Sequence, residues 1–463
     1  MSSYDVVVIG AGPGGYPAAI RSAQLGRRTA IVEKEALGGT CLNWGCIPTK
    51  TLIASAERYH QALAGAELGI TCGQVAFDYA RMVARKNEVV NRLAGGVQQL
   101  LKANGVDIIT GTARFEGAQR LSVRGADGET RWLQTNQTII ATGSVSAMPG
   151  FLPKHPRVIE SRAFLDRNEL PASLVVLGGG VIGCEFACLA AQLGTAVTVV
   201  EMLDDILPMI DRDVRRVLRK RMEALGITLC TGAPLTDIAA DDHGVTGRYK
   251  NQEIRGELLL VAIGRAVTTA ELDLARAGVK TDARGQIPVD ASCRTSQAAV
   301  FAIGDVVSGN LQLAHVATAQ GVLAAEAASG LRRRNETVVP ACIFTSPEIG
   351  VAGVTEEQAK AAGRGVRTGL FSFAALGKAM AAGMTEGFVK WVADAATDQL
   401  IGAQAVGPHA TELIATAALA VRNELTAQEF GRTIHSHPTL SEAWMEAAHA
   451  LHGTCIHAAP RRR

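Results

Sequence analysis

Two cysteines five residues apart are the side chains of this sequence best suited to covalent chemistry. Cys41 and Cys46 lie in the segment Gly-Gly-Thr-Cys-Leu-Asn-Trp-Gly-Cys-Ile-Pro-Thr-Lys, which runs from residue 38 to residue 50. A disulfide that closes so short a loop restrains little chain entropy, so it would be a poor structural staple. On a regular helix this spacing is too long for the bond without local distortion, and a strained disulfide is easily reduced. The spacing therefore favours a redox-active pair, with a chance pair as the alternative.

A glycine pattern occurs twice, on either side of the cysteine pair, each time between a predicted strand and a predicted helix. The three glycines and the acid that follows them are Gly10, Gly12, Gly15 and Glu33 in the first copy, and Gly178, Gly180, Gly183 and Glu201 in the second. The copies align without a gap at an offset of 168 residues, and each acid stands 23 residues after the first glycine. A lone pattern of this kind is weak, but two matched copies are specific.

The spacing suits a dinucleotide. The first glycine makes a tight turn, the second lets a pyrophosphate approach the helix N-terminus, and the third lets helix and sheet pack closely. The acid then accepts hydrogen bonds from a ribose. We therefore expect two bound dinucleotides, with ligand-free turns as the alternative. Glu201 would repel a 2′-phosphate and no arginine follows it in Met202-Leu-Asp-Asp205, so NAD is favoured over NADP.

The composition is that of an ordinary globular protein. Hydrophobic residues make up 48% and charged residues 19%, and a net charge of +2 gives no case for nucleic acid as a partner. No apolar run approaches the roughly 18 residues that span a bilayer. A predicted strand begins at residue 5, which leaves no room for a signal peptide, so we expect a cytoplasmic protein. The arginines at 461–463 are expected to be a frayed end.

The remaining cysteines predict neither a disulfide framework nor a metal site. Nine cysteines, an odd number, are scattered over 463 residues. Cys184 and Cys188 lie one helical turn apart, but no second pair at zinc spacing accompanies them. We therefore expect no metal, and these two side chains to be part of helix packing.

The cysteine segment resembles the active-site segment of the pyridine nucleotide–disulfide oxidoreductases, and the similarity covers nearly the whole chain. Other matching segments are Ala141–Ser144, Thr295–Asp305, Leu313–His315 and His435–Glu442. Within the family the chain is most similar to the enzymes that oxidise dihydrolipoyl groups with NAD. The resemblance implies FAD and NAD as cofactors and a homodimer. It also implies, as partner, the lipoyl domain of a 2-oxo acid dehydrogenase complex or another lipoylated carrier.

The resemblance assigns roles to the residues of the redox relay. Cys41 is the interchange thiol that meets the substrate, and Cys46 lies against the flavin as a thiolate. Lys50 sits beside the reactive flavin nitrogen and pairs with Glu185, because a buried charge needs a partner.

The resemblance also supplies a base from the C-terminal segment. His437 deprotonates the substrate dithiol, Glu442 orients its imidazole, and the dyad enters the active site of the other subunit. The expected peptide bond between His437 and Pro438 is cis. His435, two residues earlier, is the alternative base.

The cofactor contacts follow from the same matches. For FAD they are Gly10, Gly12, Gly15, Glu33, Thr40, Lys50, Thr142, Gly143, Asp305 and His315. For NAD they are Gly178, Gly180, Gly183, Glu185, Glu201 and Gly264. The chain departs from the family pattern at two places. Arg265-Ala266-Val267 lacks the second basic residue and the proline that often follow this Gly-Arg in the family. Gln320 stands where many relatives have a glutamate.

The predicted fold class is α/β, with two Rossmann-like dinucleotide-binding domains and a C-terminal α/β interface domain. The expected segments are 1–148 for FAD, 149–267 for NAD, 268–335 to complete the FAD site and 336–463 for dimerisation. Two alternative functions stay open: an NAD(P)H-dependent reductase of the glutathione or mercuric type, and a flavin-binding docking scaffold. One local conflict is Pro17, which falls inside the first predicted helix and removes a backbone hydrogen bond.

Overall fold

A computed structural model describes residues 2–331 and 338–459 of the chain. The basic end at 461–463 lies outside the described residues. Within the described ranges, no helix is both long and apolar enough to cross a membrane.

These residues form 22 strands. In chain order they are β1 (Ser2–Ile9), β2 (Thr29–Glu33), β3 (Asp107–Thr110), β4 (Thr112–Gly117), β5 (Arg120–Arg124), β6 (Thr130–Ile140), β7 (Ser144–Ser146), β8 (Val158–Glu160), β9 (Ser173–Leu177), β10 (Ala196–Glu201), β11 (Thr228–Thr231), β12 (Leu235–Asp241), β13 (Gly244–Tyr249), β14 (Gln252–Gly256), β15 (Leu258–Val261), β16 (Arg265–Val267), β17 (Val300–Ala302), β18 (Ala341–Ile343), β19 (Glu348–Gly353), β20 (Val366–Ser372), β21 (Phe388–Asp394) and β22 (Leu400–Gly407).

The same ranges contain 13 α-helices. They are α1 (Gly15–Gln24), α2 (Gly39–Trp44), α3 (Cys46–Leu63), α4 (Tyr79–Ala103), α5 (Ser161–Leu165), α6 (Val181–Gln192), α7 (Arg212–Ala224), α8 (Ala314–Ala328), α9 (Glu356–Ala361), α10 (Gly377–Ala381), α11 (Ala410–Arg422), α12 (Ala427–Arg432) and α13 (Glu442–Leu451). Short 3₁₀ helices lie at Gly65–Leu68, Ala270–Leu272, Leu274–Ala277, Gly304–Val306 and Phe373–Ala375.

The two glycine patterns lie in two sheets whose central strands are parallel and of the same design. The first sheet has the order β3-β2-β1-β6-β5-β4, in which β5 and β4 are antiparallel, and β17 pairs in parallel with the end of β6. In the second it is β11-β10-β9-β15-β8. The pairing of Val6 with Thr29 recurs at Leu174 with Val197, again at an offset of 168 residues. The central strands β2, β9 and β15 are apolar and largely buried on both faces, as parallel strands covered by helices must be, whereas the edge strands β3 and β11 are partly exposed.

The C-terminal part of the chain forms a five-stranded antiparallel sheet in the order β18-β19-β22-β21-β20. Helices α11 and α13 pack on it. Trp391 and Trp444 are fully buried between sheet and helix, with ring centroids 4.6 Å apart. Both indole N–H groups are satisfied, since Trp391 donates to the carbonyl of Trp444 and Trp444 to that of Leu413. The predicted fold class is confirmed, while the limits of the four segments stay predictions.

Pro17 fits because of where helix α1 begins. The helix starts at Gly15, so Pro17 lies in its first turn, where few backbone N–H groups have intrahelical partners. The carbonyl of Pro13, which an ordinary residue at 17 would bond, accepts a hydrogen bond of 2.9 Å from the hydroxyl of Thr318 instead. The missing donor is therefore replaced by a side chain of α8.

Candidate active site

The glycine turns have the shape that a dinucleotide requires. A Cβ on Gly15 would lie 1.8 Å from the carbonyl oxygen of Gly10, and one on Gly183 would lie 2.0 Å from that of Gly178. These close approaches make the third glycine of each turn obligatory. At Gly180, by contrast, a Cβ would meet nothing within 4 Å. The second turn is therefore open on the side where a pyrophosphate would approach.

The two acids occupy equivalent positions. Glu33 accepts hydrogen bonds from the backbone N–H of Ala11 at 2.7 Å and of Glu35 at 2.8 Å. Glu201 accepts from Gly179 at 2.6 Å and from Leu203 at 2.8 Å. Both carboxylates are thus fixed against their own glycine turns. This is where a ribose next to a turn-bound pyrophosphate would meet them.

The cysteine pair lies at a break between two helices. Cys41 belongs to α2 and Cys46 is the first residue of α3, while Gly45 between them has φ −138° and ψ −111°. A Cβ on Gly45 would lie 2.8 Å from the carbonyl oxygen of Thr40 and 3.2 Å from the Cα of Cys41. The expected helix distortion is therefore present, and Gly45 permits it.

The two thiols differ in acidity. A hydrogen bond from Cys41 lowers the pKa of Cys46 to about 7, against the effect of burial and with help from the charge of Lys50. The same hydrogen bond, together with burial, raises the pKa of Cys41. Cys46 also sits at the N-terminus of α3, where the helix dipole favours an anion. Cys46 is therefore the thiolate of the pair and Cys41 the thiol.

Lys50 lies one turn along α3 from Cys46. Its side chain is bound by a residue of α6, the helix that follows the second glycine pattern. Its ammonium is 2.7 Å from the carboxylate of Glu185, which is only 4% exposed. The other oxygen of Glu185 accepts the backbone N–H of Phe344 at 2.9 Å. The ammonium also stands 4.6 Å from the centre of the Phe344 ring. The predicted Lys50–Glu185 pair is confirmed, while contact of Glu185 with NAD stays a prediction.

A polar cluster lies where β7, β16 and the turn after β17 meet. Ser144 donates to the carboxylate of Asp305, and Arg265 donates to Ser144 Oγ at 2.7 Å and to its carbonyl at 2.6 Å. The hydroxyl oxygen of Thr142 is buried and has no hydrogen-bond partner among the described residues. A buried polar atom without a partner fits a site completed by a polar ligand such as the flavin.

Other predicted cofactor residues are placed as follows. Gly143 has φ +69° and Gly264 φ +121°, and each faces open space. His315 lies in the first turn of α8, and its Nε2 is 2.7 Å from the carbonyl oxygen of Pro340. Gln320 accepts the N–H of Gly304 at 2.8 Å, so this substitution still holds the turn that carries Asp305.

The C-terminal dyad has the predicted internal geometry. Nδ1 of His437 is 2.8 Å from one carboxylate oxygen of Glu442, and the other oxygen accepts the N–H of Thr439 at 2.8 Å. Burial acts to raise the pKa of Glu442, but these two hydrogen bonds keep that pKa below its ordinary value. The peptide bond before Pro438 is cis, as expected. Nδ1 of His435 lies 2.8 Å from the carbonyl oxygen of Thr433, so this histidine has a backbone carbonyl where His437 has a carboxylate.

Comparison with known proteins identifies the family to which this arrangement of residues belongs. The family model "Pyridine nucleotide-disulphide oxidoreductase" matches residues 4–321, and the model of that family's dimerisation domain matches residues 339–448. The chain belongs to this family. Membership brings FAD and NAD as cofactors, and the dimerisation domain supports a homodimer.

The chain is similar over its whole length to named members of the family. It is 45% identical to a dihydrolipoyl dehydrogenase of Haloferax volcanii, over 98% of this chain and 97% of that protein. It is 42% identical to the dihydrolipoyl dehydrogenase of Bacillus subtilis, over 98% and 99% of the two chains. Among solved structures it is similar to LpdA of Mycobacterium tuberculosis, with TM-score 0.90, 29% identity and 97% and 100% coverage. It is also similar to the HOCl-induced flavoprotein disulfide reductase RclA of Escherichia coli, with TM-score 0.86, 30% identity and 95% and 98% coverage.

Three site residues were not found from the sequence. Gly45 could have been, because a glycine between the two cysteines is the simplest way to break a helix there. Arg265 was noted only for the residues that follow it, although it reaches the Ser144–Asp305 pair. Phe344 left no sequence signal, because its contacts with Lys50 and Glu185 join segments far apart in the chain.

Proposed function

We propose that this oxidoreductase oxidises dihydrolipoyl groups carried by a partner protein and delivers two electrons through Cys41 and Cys46 to NAD. The observation that carries the proposal is the asymmetric thiol pair beside the Lys50–Glu185 ion pair. Its relatives named dihydrolipoyl dehydrogenase, similar over nearly the full length, support the choice of substrate.

The chemistry begins with the disulfide form of Cys41 and Cys46. His437 takes the proton of one substrate thiol, because the thiolate and not the thiol attacks a disulfide. The substrate thiolate attacks Sγ of Cys41, the bond between the two cysteines breaks, and Cys46 leaves as a thiolate. Since the pKa of Cys46 is lowered to about 7, it is a good leaving group near neutral pH.

The second substrate thiol completes the exchange. It attacks the substrate sulfur bound to Cys41, so that the lipoyl disulfide forms and Cys41 leaves. Cys41 takes the proton that His437 received from the first thiol, and His437 takes the proton of the second thiol. The substrate has lost two electrons and the cysteine pair has gained them. Bound FAD supplies the route from the dithiol to NAD. The ion pair of Lys50 and Glu185 lies next to that route, and each of its two charges neutralises the other.

The dyad is proposed to act in the partner subunit's site. The side chain of His437 is 77% exposed in the single chain, whereas a base at a working disulfide has to be sheltered from bulk water. Glu442 occupies Nδ1, so Nε2 is the nitrogen that would take the proton of a substrate thiol. A homodimer would bury this surface and complete two equivalent sites.

The choice of nicotinamide cofactor distinguishes this proposal from the alternative, an NAD(P)H-dependent reductase of the glutathione or mercuric type. Glu201 has no phosphate-binding arginine after it, and the exposed residue that follows is Met202. A carboxylate in this position favours NAD over NADP.

One comparison of substrates tests the proposal. NAD reduction by free dihydrolipoamide and by a dihydrolipoylated carrier domain is measured beside NADPH oxidation by glutathione disulfide. We expect turnover with NAD and dihydrolipoyl groups, and a higher kcat/KM with the carrier domain. Faster turnover with NADPH and glutathione disulfide would overturn the proposal in favour of a reductase.

A further inference from the structure

A buried lysine joins the C-terminal sheet to the second parallel sheet. Lys390 lies on β21 with its side chain 3% exposed. Its ammonium is 3.0 Å from Asp211, 2.9 Å from Asp213 and 2.7 Å from Glu356. The two aspartates stand at the start of α7 and Glu356 begins α9. One cation thus holds three carboxylates that would repel each other in its absence.

Asp211 is the most constrained member of this cluster. Its side chain is 2% exposed, and its two oxygens accept the backbone N–H groups of Glu356 at 3.0 Å and Glu357 at 2.9 Å. The side-chain amide of Gln404 donates to the same carboxylate, and the N–H of Asp211 donates to Gln404 at 3.2 Å. These directional bonds fix the position of Asp211 relative to the C-terminal sheet.

The loop at 202–211 connects Asp211 to the second glycine turn. The N–H of Leu207 donates to the carbonyl of Gly179 at 3.0 Å. Ile206 covers Gly179 so closely that a Cβ there would lie 2.8 Å from Ile206 Cγ2. The N–H of Gly179 donates to Glu201 at 2.6 Å. A continuous set of contacts therefore runs from Lys390 to the acid of the nucleotide turn.

A second ionic contact supports the same loop. Arg215 on α7 lies 3.4 Å from Asp205 in the loop and 3.2 Å from Glu357 on α9. Arg219 adds a 2.8 Å contact with Asp205. The loop is thus held to the C-terminal part of the chain at both Asp205 and Asp211.

We infer that Lys390 is a positioning residue for NAD. It fixes the 202–211 loop from the C-terminal sheet and so keeps the Gly179–Glu201 turn in the shape that receives the nucleotide. The inference rests on the proposed function only in that the second glycine turn holds NAD. Without Lys390, repulsion among the carboxylates loosens the loop, and nucleotide binding must first order it again. The dithiol reaction at Cys41 does not use this loop and keeps its rate.

The test separates the two half-reactions of Lys390→Met. The Kd of NADH is measured by calorimetric titration of anaerobic protein that has been fully reduced beforehand, so that NADH binds without transferring its hydride. Flavin reduction by dihydrolipoamide is followed on oxidised protein without nucleotide. We expect the Kd of NADH to rise about tenfold, while the rate of flavin reduction changes less than twofold. Lys390→Gln, which removes the charge but keeps a polar side chain among the three carboxylates, should raise the Kd to a similar extent and serves if Lys390→Met does not fold. Lys360→Met is the matched control, since this exposed lysine also binds Glu356.

Two results would overturn the inference. One is an unchanged Kd of NADH in a folded Lys390→Met or Lys390→Gln protein. The other is an equal loss in both half-reactions, which is the sign of a general effect on stability. Failure of the wild-type protein to accept dihydrolipoamide would contradict the proposed function instead, and the NADH titration would still decide the role of Lys390.

Discussion

At the scale of single residues, the two active-site sulfurs are distinguished by charge. Cys46 has a lysine one turn away, a thiol donor at Cys41 and a helix N-terminus, and all three favour its thiolate. Cys41 lies beside that thiolate, so its own ionisation is opposed. In the reduced pair Cys41 is therefore the thiol that stays protonated, and we propose that it is the one that exchanges with substrate.

The pH dependence of the reduced enzyme follows from this difference. A lowered pKa means that the folded protein keeps the Cys46 thiolate down to about pH 7 and loses it below. As the pH is lowered, the long-wavelength charge-transfer absorbance of the reduced, FAD-loaded protein should decrease, with a midpoint near pH 7. Lys50→Met should move the midpoint to higher pH, because the charge that lowers the pKa is removed. An unshifted midpoint in Lys50→Met would show that Lys50 does not act on Cys46.

The base acts on only one of the two half-reactions. His437→Gln should lower turnover with dihydrolipoamide by about 10² to 10⁴, the usual range for loss of a general base. NADH-driven reduction of an artificial electron acceptor requires no thiol deprotonation and should be largely unchanged. The two activities are measured on one preparation, with His435→Gln as the matched control. Equal loss of both activities would assign His437 to structure.

At the scale of elements, the break at Gly45 brings the thiols together. Gly45→Ala should force apart the residues around Thr40 and Cys41, because the added Cβ would lie 2.8 Å from a backbone oxygen. We expect at least a tenfold loss of dihydrolipoamide turnover with FAD content retained. Gly73→Ala, where a Cβ would meet nothing within 4 Å, is the control. Normal turnover in Gly45→Ala would mean that the helix break is not needed for exchange.

Local patterns predicted the two nucleotide turns and the strand and helix on either side of each. A glycine's close approach depends on residues a few positions away, as with Gly15 and the carbonyl of Gly10, so sequence spacing carries the information. The cysteine pair and the His437–Glu442 dyad could be predicted for the same reason, because the two residues of each are only five positions apart. The contacts of Arg265, Phe344 and Lys390 were not, because each joins segments more than 100 residues apart and no local periodicity encodes such pairings.

At the scale of the whole molecule, we propose that each active site needs residues from two subunits of the homodimer. Dimers that combine Cys41→Ser chains with His437→Gln chains should recover up to half of the wild-type activity per mixed dimer. One of their two sites then has both an intact cysteine pair and an intact base. Activity is measured after subunit exchange and purification by two different affinity tags. Inactive mixed dimers would show that each chain completes its own site.

The central claim, that two electrons pass from a dihydrolipoyl group through Cys41 and Cys46 to NAD, has one direct test. Oxidised, FAD-loaded protein is mixed anaerobically with one equivalent of dihydrolipoamide per site and then with NAD, and the NADH formed is counted. Wild-type protein should yield close to one NADH per site, and Cys41→Ser should yield none although it still accepts electrons from NADH. NADH formation by Cys41→Ser at the wild-type level would contradict the account, because the electrons would then have bypassed the cysteine pair.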